Sequence, residues 1–167
     1  MPTVVLLDKG SHNRKDFQCG IEPLDRYIRE RAAADAKKSV SVCYVLTAHD
    51  DPSTIIGYYT LSNLSVEVTG LPSTLQKSLP KYPQIPATLI GRLAVSSDHS
   101  RQGFGEHLLL DALKRAYGAR SVIGAALVVV DAKDESAANF YAQYGFQRTK
   151  SNPMRLYILM GTIAKLP

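Results

Sequence analysis

The stretch that decides the fold is residues 92–105, where RLAV at 92–95 is followed by SRQGFG at 100–105. It predicts an apolar strand that stops, a basic turn with two glycines, and a helix whose first backbone N–H groups lack intrahelical partners. Gly103 and Gly105 can adopt backbone angles that are closed to other residues, and neither has a Cβ to keep a ligand away from the amides. The turn therefore predicts a phosphate site, and the expected ligand is a pyrophosphate.

The rest of the chain alternates strands and helices around this turn. Runs rich in Val, Ile, Tyr and Thr at 41–48 and 54–62 flank DDPS at 50–53 and predict an antiparallel hairpin. The unbroken apolar run at 125–130 predicts a strand covered on both faces, at the sheet centre. Further strands are predicted at 4–7 and 85–95, helices from Pro23 onwards and at 73–79, 104–117 and 136–144, and a closing hairpin from 146–149 and 155–160.

The connection at residues 63–83 resists a simple assignment, because Gly70, Pro72, Pro80 and Pro83 interrupt any long element. We expect it to contact substrate or a partner. With 167 residues and 45% hydrophobic content, the chain is most simply one compact domain over 1–167. No apolar run is long enough to span a bilayer, and the N-terminus lacks the pattern of a signal peptide, so we expect a cytoplasmic protein without membrane contact.

The net charge and the two cysteines indicate which partners and which reactive groups can be expected. A net charge of +5 suits an anionic partner such as a nucleic acid, although it serves solubility equally well. Basic residues cluster at 26–38 and again at 77–92. Cys19 and Cys43 lack metal-ligand spacing, so no metal is expected and both are predicted to be reduced, with a disulfide or a catalytic thiol as alternatives.

The strand at 93–95, the glycine turn, the helix after it and ANFYAQYGF at 138–146 resemble the acetyl-CoA-binding core of the GNAT N-acetyltransferases. The family's usual turn reads Q/R-x-x-G-x-G/A; here Ser100 takes the first position and Arg101 follows it. Asp134 also replaces the usual Asn, so no Asn role is transferred to it. The resemblance implies an α/β (α+β) fold with a mixed, mostly antiparallel sheet whose central strands splay apart, flanked by helices. By the same resemblance, the residues that bind acetyl-CoA are Leu93, Ala94, Val95, Arg101, Gln102, Gly103, Phe104, Gly105, Glu106 and Asn139.

The resemblance also implies two catalytic groups. The backbone amide of Val95 is the expected oxyanion donor, and Tyr141 is the expected proton donor to the departing thiolate. A tyrosine with a pKa of about 10 stays protonated at neutral pH, and passing its proton to a thiolate of pKa about 8.5 costs only about 2 kcal/mol. Sequence pattern alone favours a core aromatic beside Phe140 at position 141, and only the family resemblance assigns Tyr141 to catalysis.

A narrower resemblance covers nearly the whole chain and points to the GNAT-type toxins of bacterial toxin–antitoxin pairs. It rests on FQCG at 17–20, LDRYI at 24–28, IGYYTLS at 56–62, GRLAV at 91–95 and VDAKD at 130–134. It implies acetylation of the α-amino group of aminoacyl-tRNA, a block of translation, a ribbon-helix-helix antitoxin and a homodimer. The basic residues assigned to RNA contact are Arg92, Arg29, Lys37, Lys38, Lys77 and Lys81.

No carboxylate lies in residues 85–95, where many GNAT enzymes place a glutamate that deprotonates a lysine-like amine. An α-amino group with a pKa of about 7.7 to 8.0 is partly neutral without such a base, which agrees with an aminoacyl ester. A water, Asp98 or Glu67 would be the alternative base. Two other functions stay open: an N-acetyltransferase of a small amine or a protein N-terminus, and a binding module that has lost catalysis.

Overall fold

The computed structural model describes residues 2–167 and contains one mixed sheet of seven strands with helices around it. The sheet order is β1-β2-β3-β4-β5-β7-β6. Its strands are β1 Thr3–Leu6, β2 Val42–Ala48, β3 Asp51–Glu67, β4 Gln84–Val95, β5 Leu127–Asp131, β6 Gln147–Arg148 and β7 Arg155–Leu159. The helices are α1 Glu22–Arg26, α2 Ala32–Lys37, α3 Ser73–Ser78, α4 Phe104–Ala119, α5 Glu135–Ala142 and α6 Met160–Ile163. The predicted α+β class is confirmed.

The chain groups into two compact units, and both are discontinuous in sequence. Unit 1 consists of residues 2–62 and Gly91–Ala112; unit 2 consists of Asn63–Ile90 and Leu113–Pro167. Strands β3 and β4 each contribute residues to both units. That the whole chain forms one domain stays a prediction.

Unit 1 packs one helical segment against an antiparallel hairpin. In the hairpin, Val45 of β2 lies opposite Tyr58 of β3. Phe17 meets the Tyr58 ring edge-on at 5.4 Å between centroids, and Tyr27 stacks on it at 6.4 Å. All four side chains are buried in one apolar cluster, which ties the N-terminal helices to the sheet.

Unit 2 is built on the buried strand β5. This strand pairs in parallel with β4, from Ala87↔Leu127 to Ile90↔Val130, and antiparallel with β7. Residues Leu127–Val130 are all fully buried, as expected for a strand with both faces covered. Pairing with β5 ends at Ile90, whereas β4 continues to Val95.

The structure corrects several predicted elements. Residues 63–67, predicted to be part of an irregular connection, extend β3 to Glu67. The helix predicted from Pro23 is divided by a π-helical turn at Tyr27–Arg31, and α6 was not predicted at all. Strand β5 is an interior strand, but the middle of the sheet is β4. Strand β3 also begins at Asp51, three residues before its predicted start, so residues 51–53 of the predicted turn belong to the strand. The other predicted strands and helices are present with bounds that differ by no more than two residues.

Candidate active site

The glycine turn of unit 1 has the backbone geometry of an anion-binding site. Arg101 and Gly103 both have left-handed φ angles, of 61° and 81°, and α4 begins directly after them at Phe104. The His107 amide donates to the Gly103 carbonyl at 3.1 Å, so the earlier helical amides have no acceptor inside α4. These amides and the positive end of the helix favour a phosphate group.

The two turn glycines differ in their roles. A Cβ built on Gly103 would meet no atom within 4 Å, so its backbone angle and the open space beside it explain the glycine. Gly105 lies inside α4 and does not use the left-handed backbone angles open to glycine, so its missing Cβ is the remaining reason for a glycine there. The left-handed residue that the sequence did not reveal is Arg101. The side chains of Arg101, Gln102 and Glu106 are exposed, whereas that of Phe104 is half-buried.

Strand β4 leads into this turn and is held tightly where the oxyanion donor is predicted. Ala94 is buried, and Leu93 and Val95 are half-buried. The Ser96 amide donates to the Ile56 carbonyl at 2.7 Å, and the neighbouring Gly57 lies so close that an added Cβ would be 2.8 Å from the Ala94 carbonyl oxygen. Glycine at position 57 therefore permits the close approach of β3 that fixes the end of β4.

Arg92, the first of the predicted RNA contacts, lies against an aromatic ring. Its guanidinium carbon is 3.6 Å from the centroid of Tyr27, a cation–π contact. The Tyr27 hydroxyl donates to Asp35 at 2.8 Å, and burial, followed by this hydrogen bond, raises the pKa of Tyr27. Tyr27 therefore stays neutral and holds the guanidinium in place.

The remaining basic candidates fall into two groups. Arg29 donates to the Phe17 carbonyl at 2.6 Å, and its Nε is buried without a partner in the described part of the chain. These contacts tie Arg29 into the framework of unit 1, and its contact with RNA stays a prediction. The lysines are exposed: Lys37 and Lys38 in unit 1, and Lys77 and Lys81 in unit 2.

Tyr141 lies on α5 in unit 2 and is 9% exposed. Its ring packs between Phe140 and Phe146 at centroid distances of 5.3 and 5.6 Å. Burial raises the pKa of Tyr141 to about 12. Proton transfer to a thiolate of pKa about 8.5 would then cost about 5 kcal/mol, more than twice the value for an unperturbed tyrosine. These ring contacts are also found for core aromatics, and the high pKa keeps the Tyr141 hydroxyl protonated at every physiological pH, so that its role as proton donor stays a prediction.

The start of α5 is stabilised by a residue to which the family resemblance assigned no role. Asp134 is the N-cap of the helix, and its carboxylate accepts from the Ala137 amide at 2.8 Å. It holds the helix that bears Tyr141 and the exposed Asn139. An acidic residue followed by a helical pattern was the signal that could have predicted this cap.

Both cysteines are free, as predicted. Cys43 does not have the environment of a nucleophile. Cys43 is buried in the apolar cluster of unit 1, and burial raises the pKa of its thiol to about 12. Residues 2–167 contain no group of three His, Cys, Asp or Glu side chains arranged to hold a metal ion. None of their helices combines the length and apolar character needed to cross a membrane.

The chain matches the model of the acetyltransferase (GNAT) domain over residues 41–148. It is 32% identical over 167 residues to "Probable toxin TacT" of Sinorhizobium fredii, covering 96% of this chain and 92% of that protein. It is also 33% identical over 144 residues to the "tRNA-acetylating toxin" of Mycobacterium tuberculosis, covering 86% and 84% of the two chains.

Solved structures are similar to this chain over nearly its whole length. A Tyr-to-Phe mutant of KacT superposes with a TM-score of 0.92 at 29% identity, over 99% of both chains. AtaT complexed with acetyl-methionyl-tRNAfMet superposes with a TM-score of 0.90 at 27% identity, over 98% of both chains. AtaTR bound with acetyl-CoA gives 0.84 at 27% identity, over 98% of this chain and 96% of that one. The chain therefore belongs to the GNAT acetyltransferases, acetyl-CoA-dependent enzymes, and within them to the family that includes these toxins.

Proposed function

We propose that this enzyme transfers an acetyl group from acetyl-CoA to the α-amino group of aminoacyl-tRNA and so blocks translation. The observation that carries the proposal is the 33% identity, over 86% of the chain, to a protein named for tRNA acetylation. The likeness to AtaT, solved with acetyl-methionyl-tRNAfMet, supports the same substrate class. An acetylated α-amine has no nucleophilic lone pair with which to form a peptide bond.

The composition of β4 agrees with this substrate. Its residues, QIPATLIGRLAV, include no carboxylate that would act as a base beside the acceptor amine. A lysine amine of pKa about 10.4 is almost entirely protonated at pH 7, whereas an α-amine of pKa about 7.7 to 8.0 is partly neutral. An enzyme without a base on this strand is therefore suited to an α-amine.

For acetyl-CoA, we assign the phosphate contacts to the turn that contains Arg101 and Gly103 and to the first amides of α4. The two left-handed residues and the open space beside Gly103 fit a diphosphate. Acetyl-CoA supplies the activated acetyl group as a thioester. The Val95 amide donates to the oxygen on which negative charge develops, and Tyr141 holds the proton needed by the departing sulfur.

We assign RNA contacts to Arg92, Arg29 and the exposed Lys37 and Lys38 in unit 1, and to the exposed Lys77 and Lys81 in unit 2. Phosphate contacts from such residues would make activity fall steeply with salt. Arg92 differs from the lysines because the Tyr27 ring orders it before any substrate arrives. It is the residue for which we expect the largest single effect on tRNA affinity.

The family to which the chain belongs also suggests its partners and its cellular location. We propose that an antitoxin of the ribbon-helix-helix class neutralises the enzyme, that the enzyme acts as a homodimer, and that it works in the cytoplasm as one functional domain. An antitoxin partner agrees with the toxin named among the relatives. Sedimentation of the purified chain with and without the product of a neighbouring open reading frame would test both the dimer and the antitoxin.

The activity is tested by transfer of labelled acetyl from acetyl-CoA to charged tRNA, deacylated tRNA and a panel of free amines. We expect label only on charged tRNA, with its rate falling as salt rises. Tyr141→Phe should lose most of the transfer while binding acetyl-CoA normally. Label on free amines alone would replace the proposal with a small-molecule acetyltransferase, and absence of any transfer would indicate a binding module.

A further inference from the structure

A groove with an exposed aromatic residue lies in unit 2, where the long strand β3 ends and β4 begins. Glu67 closes β3 and Gln84 opens β4, and the Val68 amide joins the two segments by donating to the Pro83 carbonyl at 3.1 Å. The groove has a volume of about 560 Å³, within the range of small-ligand sites. Its walls include the side chains of Glu67, Lys81, Tyr82 and Gln84.

Tyr82 is the unusual member of this groove because it is 64% exposed. Its backbone is nevertheless ordered: the Tyr82 amide donates to the Pro80 carbonyl at 2.8 Å, and Pro83 follows it. An aromatic ring on a restrained backbone loses little conformational entropy when a flat ligand stacks on it.

The charges around Tyr82 indicate what would stack there. Lys81 precedes the tyrosine and is exposed, as is Lys77 on α3 nearby in sequence. An aromatic ring beside lysines is the combination that binds single-stranded nucleic acid, since the ring stacks on a base and the lysine neutralises a phosphate. The negative charge of the Glu67 carboxylate repels a phosphate, but the carboxylate can accept a hydrogen bond from the exocyclic amine of a base, as Glu does with cytosine.

We propose that this groove binds an unpaired nucleotide of the RNA substrate, with the base stacked on Tyr82, a phosphate on Lys81, and an exocyclic amine on Glu67. The inference rests on the proposed function for the identity of the substrate as an RNA. Because uracil has no exocyclic amine, the groove should favour cytosine or adenine over uracil. Tyr82 would then position an unpaired stretch of the charged tRNA without taking part in the chemistry.

The chain contains no tryptophan, which allows a direct binding test. Tyr82→Trp introduces a single fluorophore at the groove, and stacking of a base on an indole quenches its fluorescence. We expect saturable quenching by the trinucleotide CCA, weaker quenching by UUU, and loss of the effect at high salt. Val122→Trp, at a residue that is 87% exposed in the loop after α4, is the matched control and should respond to neither. Equal responses at positions 82 and 122 would overturn the proposal.

Kinetics separate a positioning role from a structural one. Loss of one base–aromatic stack should raise KM for charged tRNA at least about fivefold in Tyr82→Ala. Tyr82→Phe should match the unmodified enzyme, and kcat and the KM for acetyl-CoA should change in neither variant. Equal KM values for the Ala and Phe variants would overturn the proposal while leaving the acetyltransferase activity intact. Failure of the proposed function would instead appear as absence of transfer to charged tRNA by the unmodified enzyme, with the fluorescence result unaffected.

Discussion

Gly57→Ala should destabilise the enzyme at the point where β4 delivers Val95. The added Cβ would lie 2.8 Å from the Ala94 carbonyl oxygen and 2.8 Å from Cδ1 of Leu108. Both distances are well below the 3.4 Å at which ordinary van der Waals contact begins. The leucine methyl can rotate away, but the carbonyl belongs to a strand and can move only with its backbone.

The loss in free energy of unfolding can be estimated from these short contacts. Overpacking of this kind costs about 1 to 3 kcal/mol, and the lower entropy of the unfolded alanine chain offsets part of it. We expect a net loss of about 2 kcal/mol, which lowers Tm by about 4 to 8 °C for a chain of this size. Acetyl transfer at 25 °C should also slow, because moving the Ala94 carbonyl displaces the adjacent Val95 amide.

Thermal unfolding followed by circular dichroism measures the effect, with Gly118→Ala as the matched control. Gly118 lies in α4 and a Cβ there would meet no atom within 4 Å. The same substitution should therefore be neutral or should stabilise by up to about 1 kcal/mol. If the two variants unfold at the same temperature, the close approach at Gly57 does not restrain β4 and the reasoning fails.

Three further predictions concern the pyrophosphate turn and α5. Gly103→Ala must place a side chain at a φ of 81°, so isothermal calorimetry should show weaker acetyl-CoA binding, and unchanged affinity would contradict the assignment of the turn. Asp134→Ala removes the cap of α5 and should lower the free energy of unfolding by about 1 kcal/mol, whereas Asp134→Asn, which retains a capping oxygen, should lower it little. Because the pKa of Tyr141 is raised to about 12 in the fold, burial of its neutral form stabilises the protein fully below pH 10, and this contribution is lost as pH rises from 10 to 12. Between pH 9 and 11 the enzyme should lose about 1.4 kcal/mol more than Tyr141→Phe in urea titrations, and parallel curves would show that Tyr141 is not buried as described.

The parts of the fold predicted from sequence are those whose signals are local. The glycine turn followed by an amphipathic run gave the start of α4 correctly, and four consecutive apolar residues gave the buried strand at Leu127–Val130. The helix predicted at 136–144 is present as α5, and Gly145, with a left-handed φ of 96°, follows it. In each case the backbone preference of a few residues coincides with their environment in the fold.

Most of the features that were missed depend on contacts and backbone angles that exist only in the folded chain. Arg29 looks like a surface cation until the Phe17 carbonyl is placed beside its guanidinium. The extension of β3 to Glu67 is the exception, because Leu64 and Val66 alternate with polar residues at 63, 65 and 67, as in a half-buried strand, and this local signal was overlooked. At Arg101 the left-handed angle is imposed by the turn on a residue that does not favour it. The high pKa of Tyr141 likewise arises from burial between Phe140 and Phe146.

The enzyme is proposed to place the acetyl group on the α-amine of an amino acid esterified to tRNA. Mass spectrometry of the 3′-terminal aminoacyl-adenosine, released by nuclease from charged tRNA after reaction with acetyl-CoA, locates the added group. We expect one added acetyl group on the amino acid in samples with the active enzyme, and almost none with Tyr141→Phe. An acetyl group on the nucleoside, or unmodified aminoacyl-adenosine beside acetylated free amines, would contradict the proposal.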